Sequence, residues 1–139
     1  MPEPKKIMLL EDDLEFGIIL ARALEHAGYE VARFTKALRA LEHFDAQPVD
    51  LVLSDILVRV DGELTRDGGI KLISRIRQVD GNTLPIIAMS SMFNRDFGGI
   101  EARSTAKTVG ASETLAKPFK FEELEEMITR LLARAEAKD

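Results

Sequence analysis

The chain has 139 residues, of which 45% are apolar and 31% charged, a balance typical of one globular domain and too apolar for disorder. It contains no cysteine, which excludes disulfides and thiolate metal sites, and no apolar run approaches the roughly 20 residues of a membrane-spanning helix. The net charge of −5, with dispersed basic residues, argues against nucleic acid as a direct partner. Because the N-terminus also lacks the pattern of a secretory signal, we expect a cytoplasmic protein with no membrane partner.

Short apolar runs alternate with helical patterns along the chain. The run from Lys6 to Leu10 is too short for a helix and predicts a strand buried on both faces. A helix with Gly28 at its C-cap follows, then a more exposed strand from Tyr29 to Phe34, then a helix for which Thr35 is a candidate N-cap. Asp50 to Ser54 is the clearest strand pattern of all.

The second half of the chain repeats this alternation. A polar loop is expected from Arg59 to Asp67, ahead of a third helix, and Pro85 to Met89 predicts a fourth strand. Ser91 to Val109 has only weak helical periodicity. Glu113 to Ala116 predicts a short fifth strand, and the apolar stripe that begins at Phe121 predicts the final helix.

Five strands alternating with helices predict an α/β fold with a parallel sheet covered on both faces. We expect a single domain over residues 1–139, with its core at about 5–135. In such a sheet, ligands bind outside the carboxyl ends of the strands, so the polar residues that follow each apolar run matter most. These residues are Glu11 and Asp12 after the first strand, Asp55 at the end of the third, Ser90 after the fourth and Lys117 after the fifth.

This set of residues predicts phosphoryl chemistry assisted by a metal. Three carboxylates brought together repel one another unless a cation or shared protons relieve the repulsion, and Mg²⁺ prefers such oxygen ligands. The lack of cysteine and of clustered histidine argues against zinc or copper. With a cation in place, Asp55 can act as a nucleophile toward a phosphoryl group and form an acyl phosphate. Lys117 and Ser90 would then supply positive charge and a hydrogen-bond donor to the phosphoryl oxygens.

Together these motifs resemble the response-regulator receiver (CheY-like) family. That family has an acidic pair after the first strand, an aspartate ending the third, Ser or Thr ending the fourth, and Lys-Pro after the fifth. The corresponding residues here are Glu11-Asp12, Asp55, Ser90 and Lys117-Pro118. The resemblance covers nearly the whole chain, in order. It implies a flavodoxin-like, doubly wound sheet with strand order 2-1-3-4-5, here as a stand-alone receiver domain.

By this resemblance, the protein accepts a phosphoryl group on Asp55 from a histidine kinase or phosphotransfer protein and signals by altered binding to an unidentified output protein. It would be no enzyme beyond catalysing its own phosphorylation and dephosphorylation. Ser90 and Lys117 would contact the phosphoryl group. The implied Mg²⁺ ligands are Asp55, Asp12 directly, Glu11 mainly through water, and the backbone carbonyl of Leu57. The acidic pair could instead be Asp12-Asp13, if the first strand ran one residue longer.

Three departures from the family pattern concern the surroundings of the site. The usual proline after the phosphoacceptor is absent from Leu57 to Val60, and the loop before Asp67 and the segment from Ser90 to Gly110 are both longer than usual. The family's aromatic switch position, three residues before the lysine, is Thr114. Since threonine has no ring to swing inward, we expect phosphorylation or Mg²⁺ to change mainly two loops, Arg59 to Asp67 and Ser91 to Gly99, and the helix after Ser91, with little contribution from Thr114.

Two other classes of function share parts of this pattern: a binding module that is never phosphorylated, and a doubly wound enzyme or nucleotide binder. A module of the same fold that binds proteins without phosphorylation is disfavoured by the acids, Ser90 and Lys117, but the missing proline and Thr114 keep this alternative open. A flavodoxin-like protein would need a Ser/Thr/Gly-rich phosphate loop after the first strand, where this chain has acids. A haloacid-dehalogenase-type phosphatase would need a D-x-D motif there, which Glu11-Asp12-Asp13 does not match.

Overall fold

Residues 3–56, 58–60, 63–65, 67–95 and 97–137, which this computed structural model describes, form seven strands and five α-helices. In chain order the strands are β1 (Lys6–Leu10), β2 (Glu30–Phe34), β3 (Leu51–Asp55), β4 (Val58–Val60), β5 (Glu63–Thr65), β6 (Ile86–Ser90) and β7 (Glu113–Ala116). The helices are α1 (Leu14–His26), α2 (Ala37–Ala46), α3 (Asp67–Asp80), α4 (Gly99–Val109) and α5 (Phe121–Ala137), and a 3-10 helix spans Ser91–Asn94.

Five of the strands form one parallel sheet in the order β2-β1-β3-β6-β7. Since β6 and β7 are the fourth and fifth strands of this sheet, the predicted doubly wound fold and its order 2-1-3-4-5 are confirmed. The strand order reverses between β1 and β3, the place where such sheets bind ligands. Leu10 of β1 lies beside Ser54 of β3, so Glu11 and Asp55 extend these two neighbouring strands together.

Strand β1 shows how the sheet supplies two hydrophobic layers. Met8 and Leu10 pack in the layer formed with α2, α3 and α4, whereas Ile7 and Leu9 pack in the layer formed with α1 and α5. All four side chains are fully buried, which is why the strand is a continuous apolar run rather than an alternation. Burial of each such side chain stabilises the fold by about 1.5–3 kcal/mol.

The segment predicted as a polar loop from Arg59 to Asp67 contains regular structure. Strands β4 and β5 pair in antiparallel fashion, with Arg59 opposite Leu64, and α3 begins at Asp67 itself. The loop prediction is wrong because strands of three residues are too short to give a periodic pattern. Strand β4 also lies against α3. In the chain, this small hairpin comes directly after β3, the strand that ends in Asp55.

Smaller differences concern the helix ends. The weakly periodic stretch from Ser91 to Val109 contains the 3-10 helix and α4, with Gly98 at φ +83° preceding α4. The C-cap of α1 is Ala27 rather than the predicted Gly28, which follows it at φ +104°, a left-handed conformation that favours glycine. Thr35 does not cap α2, because the N-cap is Lys36, which makes no side-chain cap bond. None of the described helices is long and apolar enough to cross a membrane.

Candidate functional site

Three carboxylates meet at the carboxyl edge of the sheet. Oxygen atoms of Glu11, Asp12 and Asp55 all lie within 4.8 Å of one another. Glu11 and Asp55 are buried, with 1% and 6% of their surface exposed, and Asp12 is half-buried. Asp13, the alternative member of the acidic pair, instead caps α1, because its Oδ1 accepts a hydrogen bond from the Phe16 N–H at 3.1 Å. The geometry therefore favours the pair Glu11-Asp12.

Lys117 supplies positive charge at this edge. Its ammonium donates a hydrogen bond to Asp55 Oδ2 at 2.5 Å and another to Glu11 Oε1. Burial alone would lower the pKa of Lys117, but the Asp55 and Glu11 carboxylates outweigh burial and raise it. The lysine therefore stays charged, and three carboxylates against this ammonium leave an excess of negative charge when all are ionised.

The protonation of Glu11 depends strongly on its surroundings. Burial and, after it, the Asp55 charge raise the pKa of Glu11, and although Lys117 and the Asp13 N–H oppose the rise, the net pKa is about 7 rather than 4.5. A cation bound here would favour the ionised carboxylate and release the proton. Three carboxylates without cysteine or histidine suit a hard cation such as Mg²⁺ rather than zinc or copper. The residues present therefore fit the expected metal.

An aromatic pair supports the lysine. The Phe16 ring centre lies 4.8 Å from Lys117 Nζ, and Phe16 meets Phe119 edge to face with their centroids 6.0 Å apart. The Lys117 backbone N–H also donates to the Ser90 carbonyl at 3.0 Å. No role at the site was predicted for Phe16 from the sequence. Its place in the turn directly after the acids was the one indication that it could reach the site.

Ser90 ends β6 and is almost fully buried, with 1% of its surface exposed. Its Oγ accepts a hydrogen bond from the Met92 N–H at 3.0 Å and so caps the 3-10 helix. Met89 pairs with Asp55 across the sheet, which puts Ser90 one residue beyond the phosphoacceptor predicted from sequence. A hydroxyl that accepts one bond can still donate its own proton, so a capping role and a phosphoryl contact are compatible.

The backbone of Asp55 is held by close contacts. Its carbonyl accepts a hydrogen bond from Ser54 Oγ at 2.9 Å, and the Ile56 N–H donates to β6 at 3.1 Å. A Cβ atom added to Gly69 would lie 2.2 Å from the Asp55 carbonyl oxygen and 2.6 Å from Ile56 Cα. Only glycine allows α3 to come this close to the end of β3. Sequence reasoning missed this contact, which depends on the packing of α3.

The two remaining predicted positions are the Leu57 carbonyl and Thr114. The Leu57 carbonyl, expected as a metal ligand, lies outside the residues that the structure describes. Thr114, at the predicted switch position, is half-buried on β7, and its Oγ1 accepts a hydrogen bond from Arg103 Nη1 at 3.0 Å. Arg103 lies on α4, and no sequence pattern pointed to this contact.

The family model described as the response regulator receiver domain matches residues 7–129. The chain belongs to this family. Receiver domains are signalling domains of two-component systems, in which they have the general role of phosphoacceptor. Response regulators work with histidine kinases and output effectors.

Receiver-domain relatives span most of the chain. The chain is 29% identical to the response regulator receiver protein CpdR of Brucella abortus, over 94% of this chain and 99% of CpdR. It is 26% identical to sporulation initiation phosphotransferase F of Bacillus subtilis, over 92% of this chain and 94% of that protein. A two-component response regulator from Clostridium difficile has a similar structure, with TM-score 0.78, 25% identity, and 94% and 97% of the two chains covered. Several other curated relatives are matched over only about half of their own length.

Proposed function

We propose that this receiver domain takes a phosphoryl group onto Asp55 in a Mg²⁺-dependent reaction and signals through altered binding of another protein. The observation that carries the proposal is the grouping of Asp55 with Glu11, Asp12 and Lys117. A buried aspartate placed between further carboxylates and an ammonium has both a candidate cation site and a positive partner beside it.

In the proposed reaction, an Asp55 oxygen attacks the phosphorus atom and forms an acyl phosphate. The P–N bond of a phosphohistidine, or the P–O bond of a small donor, breaks, and the leaving group keeps the electron pair. Lys117 turns from its carboxylate partners to pair with a phosphoryl oxygen, and the Ser90 hydroxyl donates a hydrogen bond to another. Mg²⁺ held by Glu11, Asp12, Asp55 and the Leu57 carbonyl would neutralise charge on the phosphoryl oxygens.

Labelling with radioactive acetyl phosphate tests the nucleophile. We expect Mg²⁺-dependent incorporation of one phosphoryl group at Asp55, and none in Asp55→Asn, because an amide is a poor nucleophile. Asp13→Asn is the matched control: it removes a neighbouring carboxylate, but asparagine also caps helices well, so labelling should stay at the wild-type level.

The outcomes of this experiment separate the alternatives. Labelling of Asp55→Asn at another residue to the wild-type extent would overturn the assignment of the nucleophile. A wild-type protein that takes up no label from acetyl phosphate or from a phosphohistidine donor would instead favour a module that binds proteins without phosphorylation.

The proposed donor is a histidine kinase or phosphotransfer protein, and the proposed setting is the cytoplasm. The name of the Bacillus subtilis relative, sporulation initiation phosphotransferase F, supports a place in a phosphorelay. Output would come from a protein that distinguishes the phosphorylated from the unphosphorylated form.

A further inference from the structure

Arg103 makes contacts that the proposed reaction does not explain. It is half-buried on α4, and its guanidinium donates to the Phe93 carbonyl at 3.1 Å and to Thr114 Oγ1 at 3.0 Å. A third and longer bond reaches Asn94 Oδ1 at 3.4 Å. The guanidinium carbon also lies 5.3 Å from the centre of the Phe93 ring. The rigid planar fork of an arginine allows one side chain to span all these partners.

These partners belong to two elements that both lead to the site. Two of the acceptors lie on the 3-10 helix, which begins directly after Ser90 and is capped by the Ser90 hydroxyl. The third acceptor, Thr114, lies on β7, the strand that leads into Lys117. Arg103 therefore links the 3-10 helix, which follows Ser90, to β7, which precedes Lys117.

The start of α4 packs closely against the same 3-10 helix. A Cβ atom on Gly99 would lie 3.1 Å from the Phe93 carbonyl oxygen and 3.2 Å from that of Met92. Ala102 on the next turn is 1% exposed and shares a hydrophobic core with Phe93. Because the two helices are in such close contact at Gly99 and Ala102, we expect a displacement of the 3-10 helix to be passed on to α4.

We propose that Arg103 is a positioning residue that couples the Ser90 segment to α4 and β7. For the phosphorylated state, the inference rests on the proposed function. A Ser90 hydroxyl that turns to donate to a phosphoryl oxygen keeps its capping bond but moves the 3-10 helix with it, and Arg103 carries this movement to α4 and Thr114. Thr114, expected from the sequence to contribute little, then acts as a fixed acceptor for Arg103 rather than as a moving ring.

Amide hydrogen exchange in the unphosphorylated protein tests the positioning role. The Met92 and Arg95 amides donate within this segment, to Ser90 Oγ and to the Met92 carbonyl. Arg103→Ala should speed their exchange by about three- to tenfold, as expected for the loss of a typical net hydrogen bond. Arg103→Lys should restore part of the protection, and Thr114→Val should have a smaller effect in the same direction.

Lys107→Ala is the matched control, because Lys107 is an exposed cation one turn further along α4 whose described ion pair, with Glu113, is long at 4.0 Å. Exchange of the two amides should stay at the wild-type rate in this variant. Equal rates in Arg103→Ala and Lys107→Ala would overturn the proposal.

The coupling of Ser90 to α4 is tested with beryllofluoride, which mimics the phosphoryl group of the acyl phosphate, in the presence of Mg²⁺. Wild type and Lys107→Ala should show changed exchange across α4, and Arg103→Ala should lose most of that change. Arg103→Ala and Thr114→Val combined should be non-additive, because both remove the same bond. An undiminished α4 response in Arg103→Ala would overturn the coupling.

This design distinguishes the two proposals. A wild type that is never labelled at Asp55 would overturn the proposed function, whereas the exchange rates of the resting protein would still decide whether Arg103 holds the segment. Normal labelling of the wild type together with unaltered exchange in Arg103→Ala would overturn the role of Arg103 alone.

Discussion

The ammonium of Lys117 and the carboxylate of Asp55 are joined by a hydrogen bond of 2.5 Å across 62 positions of the chain. Lys117 follows β7 and Asp55 ends β3, two strands that are not neighbours because β6 lies between them. The lysine therefore reaches across a strand to hold the carboxylate. The Lys117 ammonium repels a cation at Asp55 but attracts a phosphoryl group there. Removal of its charge should therefore have opposite effects on the binding of the two.

Replacement of Lys117 by methionine should tighten Mg²⁺ binding and weaken the response to phosphorylation. Removal of a positive charge next to three carboxylates makes the site more attractive to a divalent cation, by about threefold or more in affinity. The same change removes a charge-assisted contact to the phosphoryl oxygens. Calorimetric titration checks the first effect, with the exposed Lys120→Met as control. Weaker Mg²⁺ binding by Lys117→Met would contradict this account of the resting site.

Replacement of Asp12 by alanine should remove most of the Mg²⁺ affinity. Asp12 supplies one of three grouped carboxylates, and loss of a ligand should weaken binding by about tenfold or more. Asp13→Asn removes the adjacent charge while it preserves the helix cap, so its Mg²⁺ affinity should stay near that of the wild type. Equal affinities in wild type and Asp12→Ala, measured by calorimetry, would show that these carboxylates do not form the metal site.

The stability of the metal-free protein should decrease as the pH rises from about 4.5 to about 7, because of Glu11. Burial raises the pKa of Glu11 from 4.5 to about 7 in the folded state. Within this window the folded protein holds a proton that the unfolded chain releases, so the free energy of unfolding falls with rising pH. Above it, both states are ionised and the contribution is constant.

Urea unfolding in the presence of a chelator, at the two ends of this window, measures the effect. Glu11→Gln cannot titrate and should lose the part of the pH dependence that Glu11 causes. An identical pH dependence in wild type and Glu11→Gln would contradict the assignment to this residue.

Replacement of Gly69 by alanine should destabilise the protein and slow the labelling of Asp55. The added methyl group would lie 2.2 Å from the Asp55 carbonyl oxygen, so α3 or the end of β3 must move, at a cost of about 1–3 kcal/mol. Gly17→Ala is the matched control: its Cβ would have ordinary contacts of 3.5 Å and 3.6 Å with Arg33 and Glu11. Because Gly17 lies inside α1, its replacement should stabilise the protein by about 0.5–1 kcal/mol. Thermal unfolding and the rate of Asp55 labelling, measured for both variants, test this prediction. A Gly69→Ala protein as stable as Gly17→Ala would contradict it.

The central sheet could be predicted because its buried parallel strands leave continuous apolar runs in the sequence. The polar residue that ends each run could then be assigned to one edge, and the structure does group the side chains of Glu11, Asp12, Asp55 and Lys117 there. The site could be predicted because β1 pairs with β3, which brings Glu11 and Asp12 beside Asp55 whatever the conformation of the loops.

Other features could not be predicted, for physical reasons that differ. The β4–β5 hairpin has strands of three residues, which is too short for a periodic pattern to appear. The bond from Arg103 to Thr114 joins two elements through the tip of a long side chain, and helical periodicity says nothing about where that tip lies. The approach of Gly69 to Asp55 depends on how closely α3 packs against the end of β3, which local sequence patterns do not determine.

Met8 and Leu10 of β1 pack in one hydrophobic layer, and Ile7 and Leu9 pack in the other. This alternation allows β1, and with it Glu11, to occupy only certain positions along the sheet. A shift of β1 by one residue, about 3.3 Å, would exchange the environments of all four side chains, and intermediate positions have no pairing at all. Small structural changes elsewhere therefore cannot adjust the distance between Glu11 and Asp55 gradually. A single residue inserted between Lys6 and Glu11 should therefore abolish the site.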